Sequence, residues 1–177
     1  MKKCAVTFGL IVLFFTISNP TKSDEGLSNH IFYSYESNGS DYLAFVGVGT
    51  TLKVSHSDLG LQLNTAIGNA EVLATDGYLE EYTAWEVSAK VGYFSNLSVY
   101  AEVGFDLTES LFHDFRYSDY EQEYGHADDV DAFIGMGAGV KSGALEINAF
   151  VRFREIDSEY WEAASESFSG LQVALHF

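Results

Sequence analysis

Residues 97–106 read Leu-Ser-Val-Tyr-Ala-Glu-Val-Gly-Phe-Asp, and residues 145–154 read Leu-Glu-Ile-Asn-Ala-Phe-Val-Arg-Phe-Arg. Every odd position is apolar, while the even positions carry Ser98, Glu102, Asp106, Glu146, Asn148, Arg152 and Arg154. A strict period of two marks a strand with unlike faces, because successive side chains of an extended chain point to opposite sides. The pattern recurs along the chain, so strands are expected near 42–54, 59–68, 82–94, 97–108, 130–141, 144–154 and 167–177. A weaker segment at 28–36 alternates Ile31, Tyr33 and Tyr35 with His30, Phe32 and Ser34 and brings the number to eight.

The two faces differ sharply. One runs through Leu61, Leu63, Trp85, Val87, Val99, Val103, Ile134, Met136, Ile147, Val151, Val173 and Leu175, and no charged residue interrupts it. The other holds the charges together with Gly47, Gly49, Gly135, Gly137 and Gly139. A soluble barrel would bury the first face; a membrane barrel would turn it to lipid. Glycine decides between them. It weakens a strand and serves no purpose on a wet surface, but it makes room in the crowded interior of a small barrel. Tight connections (55–58, 94–96, 142–143) alternate with long ones (69–81, 109–129, 155–166), as short periplasmic turns alternate with extracellular loops. The expected fold is all-β: an eight-stranded antiparallel up-and-down transmembrane β-barrel with a polar, side-chain-filled lumen. An even strand number puts both ends of the barrel on the periplasmic side. Tyr42, Tyr82 and Trp85 at the loop ends, and Tyr93 and Phe177 at the turn ends, are placed to form aromatic girdles.

The last segment, Ser169-Gly-Leu-Gln-Val-Ala-Leu-His-Phe177, ends in an aromatic. With the eight amphipathic segments and the N-terminal leader described below, it resembles the small outer-membrane barrels of the OmpA/OmpX transmembrane type over residues 28–177. The resemblance implies an outer-membrane location in a Gram-negative cell. It also implies recognition by the barrel-assembly machinery through the strand ending in Phe177, and a monomer.

Met1-Lys2-Lys3 and the apolar run Ala5–Ile17 have the layout of a secretory signal peptide. The run is shorter than the roughly 20 residues that span a bilayer as a helix. Cleavage after Ser23 is expected, giving a signal at 1–23 and a barrel at 24–177. Loss of Lys2, Lys3 and Lys22 takes the net charge from −17 to −20, six basic residues against 26 acidic ones. Cys4, the single cysteine, would leave with the leader, which excludes an internal disulfide framework. So acidic a chain is a poor partner for nucleic acid. No spacing matches a zinc site or a calcium loop, and no cofactor is expected.

Five of the six remaining cations, Lys53, Lys90, Lys141, Arg152 and Arg154, share the lumen parity with five acids, Glu86, Glu102, Asp106, Asp131 and Glu146. Buried charges persist only when paired, so a continuous ion-pair network is expected, either filling the barrel or gating a narrow ion path. A turn at Ser142-Gly143 would set Asp131 opposite Arg154 and Glu146 diagonal to Lys141. Matching Tyr93 to Leu97 would set Lys90 opposite Tyr100 and diagonal to Glu102.

The remaining acid excess lies in the loops, where Arg116 is the one cation. Such loops suit a solvated surface, or divalent cations that bridge them to anionic lipopolysaccharide. Phe112, His113, Phe115, Arg116, Tyr117, Tyr120 and Tyr124 in the third outer loop interleave aromatics with charge, as do Tyr160 and Trp161 in the fourth, and are candidate contacts. Ser110, His113 and Asp114, with His126 and Asp128, are the histidine–acid cluster of the loops. They lack an oxyanion hole and sit in a strongly negative field, so no enzyme is expected. The functional expectation is a non-enzymatic surface protein serving adhesion, surface interaction or membrane integrity. A gated pore is the alternative, and a lipid-modifying enzyme a more distant one.

Overall fold

The computed structural model describes residues 26–73, 79–107, 132–154, 157, 158, 161, 162 and 167–177. Eight strands close into an antiparallel barrel: β1 (Leu27–Ser37), β2 (Tyr42–Lys53), β3 (Leu59–Leu73), β4 (Leu79–Phe94), β5 (Leu97–Asp106), β6 (Ala132–Ser142), β7 (Leu145–Arg154) and β10 (Ser167–His176). Each pairs with its neighbour in sequence, and β1 closes on β10. Between β7 and β10, the short strands β8 (Asp157–Ser158) and β9 (Trp161–Glu162) pair with each other. The expected leader at 1–23, Asp131 and the third-loop contacts lie outside the described residues, as do Tyr160 and the side chain of Trp161.

The register fixes the shape. Following cross-strand partners from Leu27 through Leu52, Leu61, Val91, Ala101, Met136, Val151 and Ser169 returns to β1 at Ser37, ten residues further along. Eight strands about 4.8 Å apart with that stagger, at about 3.3 Å per residue, tilt by about 40°. A ten-residue strand then spans about 25 Å of barrel height, the thickness of the apolar band of outer-membrane barrels.

Every side chain in that circuit points outward. The outer wall carries Val46, Val91, Val99, Ile134, Met136, Val140 and Leu171, each more than half exposed. An apolar surface of this extent in water would far exceed the few hundred Å² tolerated by soluble monomers. Closure also leaves no strand edge, which is what a lipid environment demands of backbone polar groups. The barrel is therefore a transmembrane one. Near its loop end, Tyr35 stacks with Tyr42 at 6.1 Å between ring centres, and Trp85 donates Nε1–H to Thr65 Oγ1 at 2.8 Å. At the turn end, Tyr93 donates its hydroxyl to Asp58 Oδ2 at 3.0 Å, and Phe177 is exposed.

Two hairpin registers differ from the sequence expectation. The β6–β7 turn is Gly143-Ala144, with Ser142 paired to Leu145. Gly143 has φ +61° and Ala144 does not lie at positive φ, the arrangement of a two-residue turn led by glycine. Arg154 is thereby opposite Phe133 rather than Asp131, and Lys141 is directly opposite Glu146. In the β4–β5 hairpin, Tyr93 pairs with Val99 rather than Leu97. That slip of two keeps every side chain on its face and improves the lumen. Lys90 now lies opposite Glu102, and bulky Tyr100 lies opposite Gly92.

Candidate functional site

The lumen is filled by side chains that strands β5, β6 and β7 bring together. In β6 the inward positions Gly135, Gly137 and Gly139 have no side chains, so groups from β5 and β7 meet over them. Gly135 lies between Glu102 and Arg152, Gly137 between Tyr100 and Phe150, and Gly139 between Ser98 and Asn148. A Cβ on Gly135 would stand 2.9 Å from Arg152 Cγ, and the Tyr100 ring occupies the equivalent space at Gly137. The aromatic-over-glycine arrangement repeats at Gly104, covered by Phe133, and at Gly47, covered by Phe32. The glycine face identified from sequence is thus the face against which the lumen packs.

Across Gly135, Arg152 grips Glu102 with two hydrogen bonds, Nε to Oε2 at 3.0 Å and Nη2 to Oε1 at 2.9 Å. Its Nη1 lies 3.4 Å from both oxygens of Glu36 and 3.7 Å from Glu86 Oε2. Arg154 donates Nη2–H to Glu36 Oε1, and its Nη1 is 2.6 Å from Glu86 Oε1. Lys90, only 1% exposed, donates to Gln172 Oε1 at 2.8 Å and lies 4.5 Å above the Tyr100 ring. Both guanidinium groups rest on aromatic faces: Arg152 on Phe133 and Phe150 at 4.6 and 4.5 Å, Arg154 on Phe133 at 4.5 Å. Three cations thus face three carboxylates in a buried, aromatic-walled interior. Mutual attraction there must offset a desolvation cost of several kcal/mol per ion, which only dense pairing achieves.

Glu36 was not among the charges expected in the lumen, yet it touches both arginines. The signal was present: Glu36 closes the weakest segment, 28–36, on the parity of His30, Phe32 and Ser34. Asp106 is buried in the lumen opposite Glu86. Lys53 departs from the expected network, lying at the rim and pairing with Asp58 of the β2–β3 turn at 3.1 Å. Lys141 is half-buried at the turn end.

A second polar cluster occupies that end. His176 Nε2 lies 2.6 Å from Glu146 Oε2, and Ser98 donates to the same carboxylate at Oε1, 2.9 Å away. His30 stands directly opposite His176 with ring centres 5.1 Å apart, and its Nε2 is 3.1 Å from both Asn64 Oδ1 and Gln62 Nε2. Beyond this cluster a cavity of about 750 Å³ opens at the turn end. Among the described residues, no three His, Cys, Asp or Glu side chains converge as a metal site.

No protein-family model matches the chain, and no curated protein matches it. Solved structures do. A designed transmembrane β-barrel is 15% identical, covering 88% of this chain and 98% of that one, with a TM-score of 0.46. The outer-membrane protein Ail of Yersinia pestis, in a phospholipid bilayer nanodisc, is 14% identical over 86% of this chain and 99% of that one, with a TM-score of 0.49. The N-terminal β-barrel domain of Pseudomonas aeruginosa OprF is 14% identical over 85% and 97%, with a TM-score of 0.46.

Proposed function

We propose that the protein is a Gram-negative outer-membrane barrel whose filled lumen makes a rigid platform for acidic, aromatic-bearing loops. Those loops contact molecules outside the cell, in adhesion, surface protection or membrane integrity. The supporting observation is the buried set Lys90, Arg152, Arg154, Glu36, Glu86 and Glu102, whose side chains pack the interior of the barrel. At the loop end Glu71 stands directly opposite Glu81, a like-charge pair that costs energy unless it is screened. Divalent cations bridging such carboxylates to lipopolysaccharide fit that chemistry. Assembly through the C-terminal strand and a monomeric state complete the reading.

Its test compares the full chain with a variant in which residues 109–129 are replaced by a short turn, both refolded in detergent. The intact protein is expected to retain lipopolysaccharide aggregates or host cells, in a manner reversed by a chelator, and the variant to lose this. Equal retention would sink the loop assignment. Refolded protein that stays soluble without detergent would sink the membrane reading.

A second reading, a gated ion path, draws on the sharing of Arg152 among Glu36, Glu86 and Glu102, which offers it alternative partners. Single-channel recording in planar bilayers decides it. Lys90→Ala alters conductance if the network gates, and lowers only stability if the network fills.

A further inference from the structure

On the lumen side of β10, His176 meets a serine and a carboxylate. Ser28 Oγ lies 3.3 Å from His176 Nδ1, and His176 Nε2 lies 2.6 Å from Glu146 Oε2. The second oxygen of Glu146 is held by Ser98, and the imidazole lies against His30, so base and orienting acid are both fixed. A carboxylate on Nε2 sets the tautomer with its proton there. Nδ1 then has a free lone pair aimed at the Ser28 hydroxyl, the arrangement of an activated nucleophile.

The surroundings indicate a substrate. Asn29 and Phe177 exchange backbone hydrogen bonds at 3.3 and 2.9 Å, and Ser28 is the next residue of β1 beyond that pair. The turn-end cavity is lined by Ser28 and His176 of the lumen face, and also by Leu27 and Phe177 of the lipid face, which are 48% and 72% exposed. The cavity is thus a notch at the rim, with apolar lips toward the bilayer and a serine within. Lys53 lines it too, beside its ion-pair partner Asp58.

We propose that Ser28, His176 and Glu146 form a serine-nucleophile site that hydrolyses the carboxylic esters of glycerophospholipids entering this notch from the adjacent leaflet. Ser28 Oγ bonds to the ester carbonyl carbon as its proton passes to His176 Nδ1. The tetrahedral intermediate collapses by breaking the bond to the glycerol oxygen, which leaves with that proton as the lysophospholipid alcohol. Water then adds to the acyl-serine and gives a proton to Nδ1. The acyl–Oγ bond breaks, Ser28 recovers its proton, and a fatty acid departs. Glu146 stays ionised throughout and offsets the imidazolium charge. The outer loops take no part, so this site stands or falls independently of the surface-contact reading.

The test uses the full chain refolded in dodecylmaltoside micelles and a fluorophosphonate probe, with adducts located by peptide mass spectrometry. An adduct on Ser28 is expected, absent in Ser28→Ala. His176→Asn should slow labelling by about 100-fold or more, the usual scale of a general base. Ser55→Ala, in the exposed β2–β3 turn, is the control and should label like wild type. Heat-modifiable migration checks that each variant is folded, and Ser28→Ala, which deletes one hydroxyl, keeps the test decisive if His176→Asn does not fold. In phosphatidylethanolamine–phosphatidylglycerol vesicles, wild type should release free fatty acid and Ser28→Ala should not. Absence of a Ser28 adduct, or unchanged labelling in folded His176→Asn, overturns the site. A Ser28 adduct without fatty acid release overturns the phospholipid assignment.

Discussion

Arg152 of β7 and Glu102 of β5 are joined by two hydrogen bonds, 3.0 and 2.9 Å long, that pass over Gly135 of the intervening strand. Neither residue is adjacent to the other in the sheet. Their contact exists because the position between them has no side chain.

Gly135→Val should therefore sever the pair from beneath. Any Cβ there meets the Val151 carbonyl oxygen at 2.8 Å as well as Arg152 Cγ, so the wall cannot simply yield. Overpacking of this kind costs about 1–3 kcal/mol, and the displaced ion pair adds to that. Urea unfolding in micelles should show a large loss for Gly135→Val and a smaller one for Gly135→Ala. A Val variant as stable as wild type would mean that the pair forms by another route.

Arg152→Met tests the charges themselves. It keeps most of the apolar stem on Phe133 and Phe150 but leaves Glu102 without its bidentate partner. Removing one member of a buried pair costs about 3–5 kcal/mol, because the other remains desolvated. Glu102→Gln should cost less, since the amide is neutral and still accepts from the guanidinium. A loss below about 1 kcal/mol for Arg152→Met would show that water reaches this site.

These relationships mark how far the sequence could be read. Parity assigned faces, because a period of two survives any register slip by two residues; hence Arg152, Glu102 and Lys90 could be placed inside before their partners were known. Partners depend on turn geometry, and there the reading failed. Choosing Ser142-Gly143 instead of Gly143-Ala144 moved every β6–β7 pair by two and hid the direct Lys141–Glu146 opposition. Glu36 was missed for a different reason: it closes the expected 28–36 segment on the lumen parity, but the outward tyrosines there leave little contrast between the two faces, and the parity was not carried to it. Lys53 has the lumen parity but lies where the strand meets the turn, and there Asp58 is a nearer partner than any lumen carboxylate. The Ser28–His176–Glu146 cluster joins β1, β10 and β7, and no periodicity within one strand could reveal it.

The apolar exterior predicts a depth-dependent penalty. Met136, mid-strand in β6 and 64% exposed, faces the middle of the band, whereas Leu97 opens β5 at the turn rim. Met136→Arg should cost about 2–4 kcal/mol in phospholipid bilayers, and Leu97→Arg about 0–1 kcal/mol. Equal small losses at both sites, measured by reversible unfolding from vesicles, would contradict a lipid-facing wall.

Asp58 supplies a pH test outside the membrane. The hydrogen bond from the Lys53 ammonium holds its carboxyl below the usual carboxylate range, with the Tyr93 hydroxyl acting in the same direction. A depressed folded-state pKa means that the carboxylate contributes stability above its unfolded pKa of about 3.9. That contribution is lost as pH falls through the lower folded value, when the protonated acid can no longer accept both bonds. Lys53→Ala and Tyr93→Phe should each move the Asp58 titration upward, with the lysine change the larger, since it removes a charge as well as a donor. Carboxyl-carbon NMR titration of the refolded barrel reads this directly. If Asp58 titrates identically in all three proteins, the rim contacts between β2, β4 and this turn are not maintained in solution.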